Sequence, residues 1–368
     1  DEVTGAIFLP VEAGTSDLYG GGRPGANAHS SSLVSLDAAT GALRWAQQLV
    51  HHDIWDWDVP ATPILADVPW DGGEKRAVLQ ITKQGFVFAF DRDSGEPLWP
   101  VEERAVPQSD VPGEQSWPTQ PMPVLPEPFE RQGVSADDLI DFTPELRAKA
   151  LEAVKDYRMG AFMAPPSLAS AEDGTRGTLS LPGLTGGGNW EGGAYDPGTG
   201  MLFVGSATDM SILALRESGN AEMPYVVAPP IWAPRLDGLP IVKPLYGRIT
   251  AIDMTTGRRV WSVANADTPD EIAAHPALAG VDVGRTGRPT RAGLLATENL
   301  VFAGEGEGGA PVLRAHDKAT GEILAEIALP GTQTGLPMSY ILDGRQYIAL
   351  AVASGEAPAE IVALALGD

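Results

Sequence analysis

Eleven consecutive residues, Val50 to Pro60, hold the densest group of chemically useful side chains in this sequence. The segment reads V-H-H-D-I-W-D-W-D-V-P, with two histidines, three aspartates and two tryptophans. A carboxylate packed against indole rings in a dry pocket can act as a general base or a metal ligand. The alternative is a strand end whose tryptophans are core and whose acids face water. We favour the functional interpretation, because buried charge requires a partner or a metal.

A second candidate segment is Gly186 to Pro197, where glycines surround Asn189 and Trp190. Such a run permits close approach of the backbone to a flat ligand. A tight crossing between neighbouring structural units would explain the glycines equally well. Phosphate binding is not favoured, because neither a G-x-G-x-x-G nor a P-loop order is present.

Composition excludes several classes of function. The 368 residues carry a formal net charge of −24, which argues against nucleic acid and anionic membrane surfaces as partners. The absence of cysteine excludes disulfides, thiolate nucleophiles and cysteine-bound metal centres, and is compatible with export. The sequence shows no transmembrane segment. Because Asp1 to Gly5 lead directly into an apolar stretch, we expect residue 1 to be an internal position of a longer polypeptide.

A short pattern of aspartate, two residues, threonine or serine, and glycine occurs four times between apolar stretches. The copies begin at Asp37, Asp91, Asp253 and Asp317; Trp45, Trp99 and Trp261 follow the first three, and Ala325 the fourth. Aspartate can accept hydrogen bonds from turn amides, and glycine can adopt the left-handed backbone conformation. The spacing predicts an all-β propeller of four-stranded blades, interrupted by an insertion between the second and third copies. We interpret the repeated residues as structural.

The insertion, residues 100–181, is first rich in proline and then helical around Thr143 to Tyr157. Thr143 can cap this helix, and Pro144 suits its first turn. We expect the insertion to lie over one face of a single propeller unit that spans residues 1–368.

With these motifs in view, the chain resembles the pyrroloquinoline quinone (PQQ)-dependent dehydrogenases, closest to the branch of glucose, quinate and polyol dehydrogenases. The resemblance covers nearly the whole chain and runs through ordered motifs: Y-G-G-G-R-P-G from Tyr19, H-H-D-x-W-D from His51, T-K-Q-G-F from Thr82, P-T-Q-P from Pro118, P-P-S-L from Pro165, and N-W at Asn189. Family members are eight-bladed propellers, so this chain is expected to form about the last five blades.

The resemblance also implies roles for individual residues. Asp56 would be the catalytic carboxylate, taking the proton from a substrate hydroxyl as hydride moves to the quinone, and would be a ligand of bound Ca²⁺. Lys83 would donate to the quinone oxygens and stabilise the negative charge developing there. Asn189 would hydrogen-bond the cofactor edge, with Trp190 nearby. For Lys83 the alternative is an exposed strand lysine.

Some family positions differ in this chain. The tryptophan that stacks on the quinone would fall before residue 1, together with one acidic metal ligand. Ala13 occupies the place of an asparagine that completes the metal site, and Ala310 occupies the place of an aspartate. The resemblance therefore implies only a partial shell of cofactor and metal ligands.

Two functional classes follow. The first is a periplasmic oxidoreductase, or its C-terminal part, that oxidises a sugar, polyol or cyclic alcohol and passes electrons to a quinone or a cytochrome. The second is a non-catalytic propeller serving as a protein-interaction scaffold. A scaffold needs the repeats but has no use for Asp56, Lys83 and Asn189 together, which favours the first class.

Overall fold

The four repeats fold into the same turn in the computed structural model, which describes residues 1–170, 173–355 and 357–367. In each copy the aspartate carboxylate accepts hydrogen bonds from the N–H two residues later, at 2.8–3.2 Å, and from the hydroxyl three residues later, at 2.8–3.0 Å. Each glycine has a φ between +71° and +77°, where a side chain would be strained. The predicted equivalence of the turns is confirmed.

The first two blades precede the insertion. Their strands are β1 (Ala6–Val11), β2 (Ser32–Asp37) and β3 (Leu43–Gln48), then β4 (Ile64–Trp70), β5 (Gly73–Ile81) and β6 (Val87–Asp91). Each set forms an antiparallel sheet in chain order. The central strand β5 ends in a run from Ala77 to Ile81 that is apolar except for Gln80 and is buried on both faces, as expected for a strand between packed neighbours.

The insertion contains short elements. They are β7 (Val101–Ala105), β8 (Thr119–Pro123), a 3₁₀ turn (Ala136–Asp138), α1 (Pro144–Val154), β9 (Ser167–Leu168) and β10 (Thr178–Ser180). The Thr143 hydroxyl accepts a hydrogen bond from the Leu146 N–H at 3.2 Å, and Pro144 begins the helix. The predicted capped helix is therefore confirmed, although it ends at Val154 rather than at Tyr157.

The third blade is interrupted by a long excursion. Residues 193–264 contain β11 (Gly193–Asp196), β12 (Met201–Ala207), β13 (Ser211–Glu217), β14 (Tyr225–Val227), β15 (Arg235–Leu236), β16 (Leu239–Pro240), β17 (Gly247–Asp253) and β18 (Arg258–Ala264). The blade itself is the sheet β11-β12-β17-β18, whereas β13 pairs with β9, β10 and β14 outside it. Residues 208–246 therefore leave the blade between its second and third strands.

The last two blades complete the described fold. After a short helix α2 (Asp270–Ala273) and a 3₁₀ turn (Pro276–Leu278) come β19 (Leu294–Ala296), β20 (Leu300–Gly304), β21 (Val312–Asp317), β22 (Ile323–Ala328), β23 (Thr332–Gln333), β24 (Met338–Leu342), β25 (Arg345–Ser354) and β26 (Ala357–Ala365). The sheet β19-β20-β21-β22 is the fourth blade, and β23 to β26 form the fifth around β25. The innermost strand β11 contacts both β4 and β19.

A fifth copy of the turn lies between β11 and β12. The Asp196 carboxylate accepts from the Gly198 N–H at 3.0 Å, and the Gly200 N–H donates to the Asp196 carbonyl at 2.9 Å. The residues from Asp196 to Gly200 match the repeat pattern, but no tryptophan follows. This turn joins β11 and β12, whereas the repeat turn of the same blade, at Asp253, joins β17 and β18.

Two of the repeat tryptophans, Trp45 and Trp261, pack neighbouring blades together. A Cβ on Gly95 would lie 2.6 Å from the Trp45 ring, so only glycine allows this contact. The Trp45 indole N–H also donates to the Arg92 carbonyl at 3.3 Å. Trp261 packs in the same way, with its indole N–H 3.1 Å from the Lys318 carbonyl.

Strand alternation assigns the connections to two faces. The aspartate turns lie on one face. The connections that alternate with these turns along the chain lie on the opposite face, here called the loop face. They include residues 12–31, 49–63, 82–86, 182–192, 208–246, 265–293 and 305–311. Asp56, Lys83 and Asn189 all belong to it. Among the described residues, no helix has the length and hydropathy of a transmembrane span.

The contact between Gly95 and Trp45 gives a first testable prediction. Gly95→Ala and Gly41→Ala both place a side chain at positive φ, which costs about 1–2 kcal/mol. Only Gly95→Ala also pushes against an indole, since a Cβ on Gly41 meets nothing within 4 Å. We expect Gly95→Ala to lower the free energy of unfolding by a further ~1–3 kcal/mol. Urea denaturation of both variants measures the difference, and equal destabilisation would contradict the packing role.

Candidate functional site

The loop that carries Asp56 is shaped by a buried carboxylate. Asp53 is fully buried. It accepts hydrogen bonds from the N–H groups of Trp55 and Trp57, at 2.9 and 3.2 Å, and from the Ser31 hydroxyl at 2.9 Å. Burial raises the pKa of Asp53, although these hydrogen bonds and the charge of Lys83 oppose the rise. The carboxylate therefore fixes the backbone of residues 53–57 from inside.

The two tryptophans of the loop are core residues. Trp55 and Trp57 are each 1% exposed and stack with ring centres 5.7 Å apart. Their indole N–H groups donate to the carbonyls of Ala164, at 2.9 Å, and Gly183, at 3.2 Å. The core interpretation is correct for both indoles. The aspartates of the segment do not simply face water, because Asp53 is buried and Asp56 and Asp58 pair with Lys83. The functional interpretation of these acids therefore stays open.

The histidine next to Asp53 ties the loop to the insertion. The His52 ring lies between the Glu114 carboxylate, 2.7 Å from Nε2, and the Gly25 carbonyl, 2.8 Å from Nδ1. The side chains of His52 and Glu114 are both buried. Glu114 also accepts from the Gly20 N–H at 2.5 Å. A contact from the proline-rich insertion therefore holds the loop in place at the residue directly before its structural carboxylate, Asp53.

Asp56 and Lys83 meet directly. The Lys83 Nζ lies 3.5 Å from Asp56 Oδ2, donates to the Asp56 carbonyl at 2.8 Å, and forms an ion pair with the Asp58 carboxylate. The Lys83 side chain is only 8% exposed, which excludes the alternative of an exposed strand lysine. Asp58 was given no role of its own from the sequence alone. Its position two residues after Asp56 is the signal that could have identified it.

The pKa of Asp56 is raised to about 7. Desolvation by burial is the largest cause; the Lys83 charge opposes it, and the neighbouring Asp58 and Asp17 charges add to it. Its backbone is left-handed, with φ of 60°, a conformation that aspartate and asparagine tolerate better than most residues. Asp56 is thus a half-buried carboxyl that changes charge near neutral pH.

The glycine run packs against Lys83. A Cβ on Gly186 would lie 2.4 Å from the Lys83 Cβ, and the Gly187 N–H donates to the Lys83 carbonyl at 2.8 Å. A Cβ on Gly187 or Gly188 would also meet buried protein atoms, those of Glu130 and Ile81. The glycines therefore allow a tight crossing of two protein segments, which was one of the two interpretations of the sequence.

Asn189 and Trp190 follow this crossing. The buried Asn189 amide donates to the Thr185 carbonyl at 2.9 Å, and its oxygen accepts from the Trp190 N–H at 2.8 Å. The Trp190 side chain is open, with 74% of the residue exposed. Asn189 therefore follows directly on the glycine run that packs against Lys83. Part of the Asn189 amide is already used in hydrogen bonds to the backbone of its own loop.

One further charged residue, Arg291, contributes to this region. Its guanidinium forms an ion pair with Glu191 at 2.7 Å and donates to the carbonyls of Thr185, at 2.8 Å, and Gly186, at 3.1 Å. It comes from the connection that precedes the fourth blade, and no local pattern in the sequence identifies it. It brings a second cation to the segment that packs on Lys83.

These residues can be compared with the groups implied by the resemblance. A planar, acidic quinone requires cations, hydrogen-bond donors and an aromatic surface, and Lys83, Arg291 and the exposed ring of Trp190 supply these. A calcium ion requires several oxygen ligands. Among the described residues, no group of three or more histidine, aspartate or glutamate side chains could hold a metal. The chemistry of these side chains suits an acidic quinone, whereas the described residues contain no cluster of three acidic or histidine side chains for a calcium ion.

The raised pKa of Asp56 predicts a pH-dependent difference in stability. The folded-state value of about 7 lies above the usual 3.8, so the folded protein binds this proton more tightly than the unfolded chain. Relative to Asp56→Asn, the wild-type protein should lose stability as pH rises from about 4 to about 7, and then remain constant. Urea denaturation of both proteins across this range measures it. A difference that does not change with pH would show that Asp56 titrates normally.

The chain was compared with known proteins. Residues 1–348 match the β-propeller domain of the glucose/ethanol/alcohol PQQ dehydrogenases. The chain is 33% identical to the quinate/shikimate dehydrogenase (quinone) of Acinetobacter baylyi, over 95% of this chain and 45% of that protein. It is 31% identical to the glycerol dehydrogenase large subunit of Gluconobacter oxydans, over 95% of this chain and 50% of that protein.

A solved structure shares the fold. The quinohemoprotein alcohol dehydrogenase of Comamonas testosteroni superposes with a TM-score of 0.59 at 20% identity, covering 96% of this chain and 43% of that one. The chain thus spans about half the length of the curated relatives it matches. The predicted propeller and the predicted family are confirmed: this chain belongs to the PQQ-dependent dehydrogenase family.

Proposed function

We propose that this chain carries the catalytic base and part of the quinone site of a PQQ-dependent dehydrogenase that oxidises the CH–OH group of a sugar, polyol or cyclic alcohol. The observation that carries the proposal is the pair formed by Asp56 and Lys83. A carboxyl with a pKa of about 7 lies 3.5 Å from a buried ammonium group on the loop face. A general base works best when its pKa lies near the working pH.

Each residue of the pair has a distinct task. Asp56, once ionised, accepts the proton of the substrate hydroxyl at its carboxylate oxygen. The ammonium of Lys83 favours this ionised form and offers hydrogen bonds to negative charge that develops beside it. Asp58 holds Lys83 from the other side, so that the ammonium stays in place while the charge on Asp56 changes. When bound, PQQ supplies the two-electron acceptor for the carbon-bound hydride.

The quinone would lie among Lys83, Asn189, Trp190 and Arg291. Lys83 and Arg291 would neutralise its negative charge, and the open indole of Trp190 offers an aromatic face. Asn189 has one amide N–H left for the cofactor edge, because the other donates to Thr185. Calcium enters the proposal through the family alone: Asp56 would be one ligand, and the remaining ligands would come from the cofactor or from other parts of a longer protein.

The substrate, the electron acceptor and the location belong to the same proposal. The relatives described above are named for quinate, shikimate and glycerol, all of which carry secondary CH–OH groups. We propose a quinone or a cytochrome as electron acceptor and the periplasm as location. A non-catalytic scaffold would not require a buried lysine between two carboxylates, which makes it the weaker candidate.

Replacing the base tests the proposal. Asp56→Asn in the complete, PQQ-loaded protein should lower the rate of alcohol oxidation by about 10²–10⁴, the usual contribution of a general base. Asparagine keeps the size of the side chain and tolerates the left-handed backbone. In the wild-type protein, kcat/KM should rise with pH up to about 7, because protonated Asp56 has no free base to offer. Dye reduction with several sugars and polyols measures both effects.

Asp71→Asn is the matched control for this experiment. Asp71 also has a positive φ, 49°, but it is exposed in the turn between β4 and β5, on the face opposite Asp56. This variant should retain wild-type turnover. Wild-type turnover by Asp56→Asn would remove Asp56 from the mechanism, and equal losses in both variants would indicate damage to the fold.

A binding experiment tests the role of Lys83 without turnover. Lys83→Met keeps a long unbranched side chain but removes the ammonium, and a hydrogen bond to a charged group contributes about 1.5–3 kcal/mol. We therefore expect PQQ to bind about 10- to 100-fold more weakly, as measured by titrating the absorbance of the quinone. Lys75→Met, on the exposed part of β5, should leave the affinity unchanged. Unchanged affinity in Lys83→Met would place the cofactor elsewhere.

A further inference from the structure

The ring of His52 faces an oxygen atom at each of its two nitrogens. Nδ1 lies 2.8 Å from the Gly25 carbonyl, and Nε2 lies 2.7 Å from the Glu114 carboxylate. A carbonyl oxygen can only accept a hydrogen bond, so Nδ1 must carry a proton. Nε2 can then accept a hydrogen bond from a neutral Glu114, or donate one to the ionised carboxylate. In both cases the pair holds one proton more than a neutral imidazole beside a carboxylate.

The surroundings of Glu114 favour the ionised carboxylate. Besides facing His52, its oxygens accept hydrogen bonds from the backbone N–H groups of Gly20, at 2.5 Å, and Gln115, at 2.9 Å. Burial opposes ionisation, but the hydrogen bonds from His52 and Gly20 outweigh it and hold the pKa of Glu114 below its usual range. The extra proton is therefore best placed on the ring, where it makes His52 an imidazolium.

The neighbouring charged groups also favour a positive ring. The guanidinium of Arg23 interacts with three carboxyl groups, those of Asp17, Asp53 and Glu114. Burial raises the pKa of the Tyr19 phenol, which therefore stays neutral. Three carboxyl groups thus share one guanidinium, and an imidazolium among them brings the charges closer to balance.

The connection between β1 and β2 shapes the space for this ring. A Cβ on Gly20 would lie 2.3 Å from His52 Nε2, so only glycine allows the ring to reach the carboxylate. The His52 N–H donates to the Ala26 carbonyl at 2.9 Å. Its backbone is left-handed, with φ of 46°, a conformation that persists where surrounding contacts fix it. Gly20 and Gly25, both in the Y-G-G-G-R-P-G motif, therefore serve the contact between His52 and the insertion.

The pair reaches the reaction site through the backbone. His52 directly precedes Asp53, whose carboxylate accepts the two backbone hydrogen bonds that fix residues 53–57 and with them Asp56. If the ring lost its second proton, the lone pair of Nε2 would face the ionised Glu114 carboxylate. Repulsion between them would then push the loop away from the insertion.

We infer that His52 and Glu114 form a buried imidazolium–carboxylate pair that positions the loop carrying Asp56 for the reaction. The inference rests on the proposed function. Both are positioning residues, because they act on Asp56 through the backbone of residues 52–57. The proline-rich insertion thus takes part in the reaction as a support of this loop.

NMR of the complete protein with isotope-labelled histidine tests the protonation directly. At neutral pH both ring nitrogens of His52 should carry protons in the wild-type protein, and their signals should lie close together. In Glu114→Gln the ring should be neutral, with signals far apart, because the amide NH₂ can donate to Nε2 while the amide oxygen accepts from Gly20. His52→Gln identifies the signals. A neutral ring in the wild-type protein would overturn the inference.

Turnover of the complete, PQQ-loaded protein tests the positioning. Glu114→Ala should lower kcat about 10- to 100-fold, since a displacement of about 1 Å can cost about 10² in rate. Glu114→Gln should restore most of this loss, because its amide keeps a hydrogen bond to the ring. In the wild-type protein kcat should fall at the pH where the ring loses its second proton, and Glu114→Gln should show no such fall. A ring that loses this proton without a change in kcat would separate the pair from the reaction.

Glu103→Ala is the matched control. Glu103 also lies in the insertion, and its carboxylate lies 3.0 Å from Nε2 of the neighbouring His51, but 51% of its side chain is exposed. This variant should retain wild-type turnover. Equal turnover of Glu114→Ala and Glu114→Gln, high or low, would overturn the positioning role. If no alcohol is oxidised, the proposed function fails and the positioning role with it, whereas a doubly protonated His52 ring would still support the pair.

Discussion

The geometry of the candidate site depends on one buried carboxylate. Asp53 accepts three hydrogen bonds from within its own neighbourhood, two of them from the backbone of the loop that follows. Removing such an acceptor would leave buried N–H groups unpaired, which costs about 1–3 kcal/mol for each group. Because these bonds fix residues 53–57, they also fix the left-handed backbone at Asp56 and the side on which its carboxylate emerges.

Lys83 then links this loop to the next segments of the propeller. Its ammonium satisfies a carbonyl and two carboxylates of the loop, and its stem lies under the glycine run that leads to Asn189. Two negative charges around one ammonium leave a net negative site, which contributes to the raised pKa of Asp56. Arg291 supplies positive charge from a third connection, so the cations that would balance an acidic cofactor come from different blades.

The features that could be predicted from the sequence are those formed by residues close together in the chain. The aspartate turns and the cap at Thr143 need only residues near in the chain, and both were predicted. The turn at Asp196 has the same signal but was missed, although the copy at Asp317, which also lacks the tryptophan, was recognised. The partners Glu114 of His52 and Arg291 of Glu191 lie 62 and 100 residues away, respectively. No sequence periodicity connects such pairs, because only the packing of the blades brings them together. The placement of Asp56 and Lys83 in one site was predicted from the family motifs alone.

Asp53 and Asp56 lie in the same short loop but differ in their surroundings. The difference explains why Asp53 has a structural role and Asp56 is the better candidate for a general base. Asp53 is fully buried and surrounded by donors, so its charge has no reason to change during a reaction. The Asp56 side chain is 34% exposed, and among the described residues its carboxylate has the Lys83 ammonium as its ionic partner and no backbone donor. A carboxylate with one ammonium as its ionic partner can gain and lose a proton without breaking hydrogen bonds to the backbone. Its partial exposure leaves room for a hydroxyl to approach, which the enclosed Asp53 does not allow.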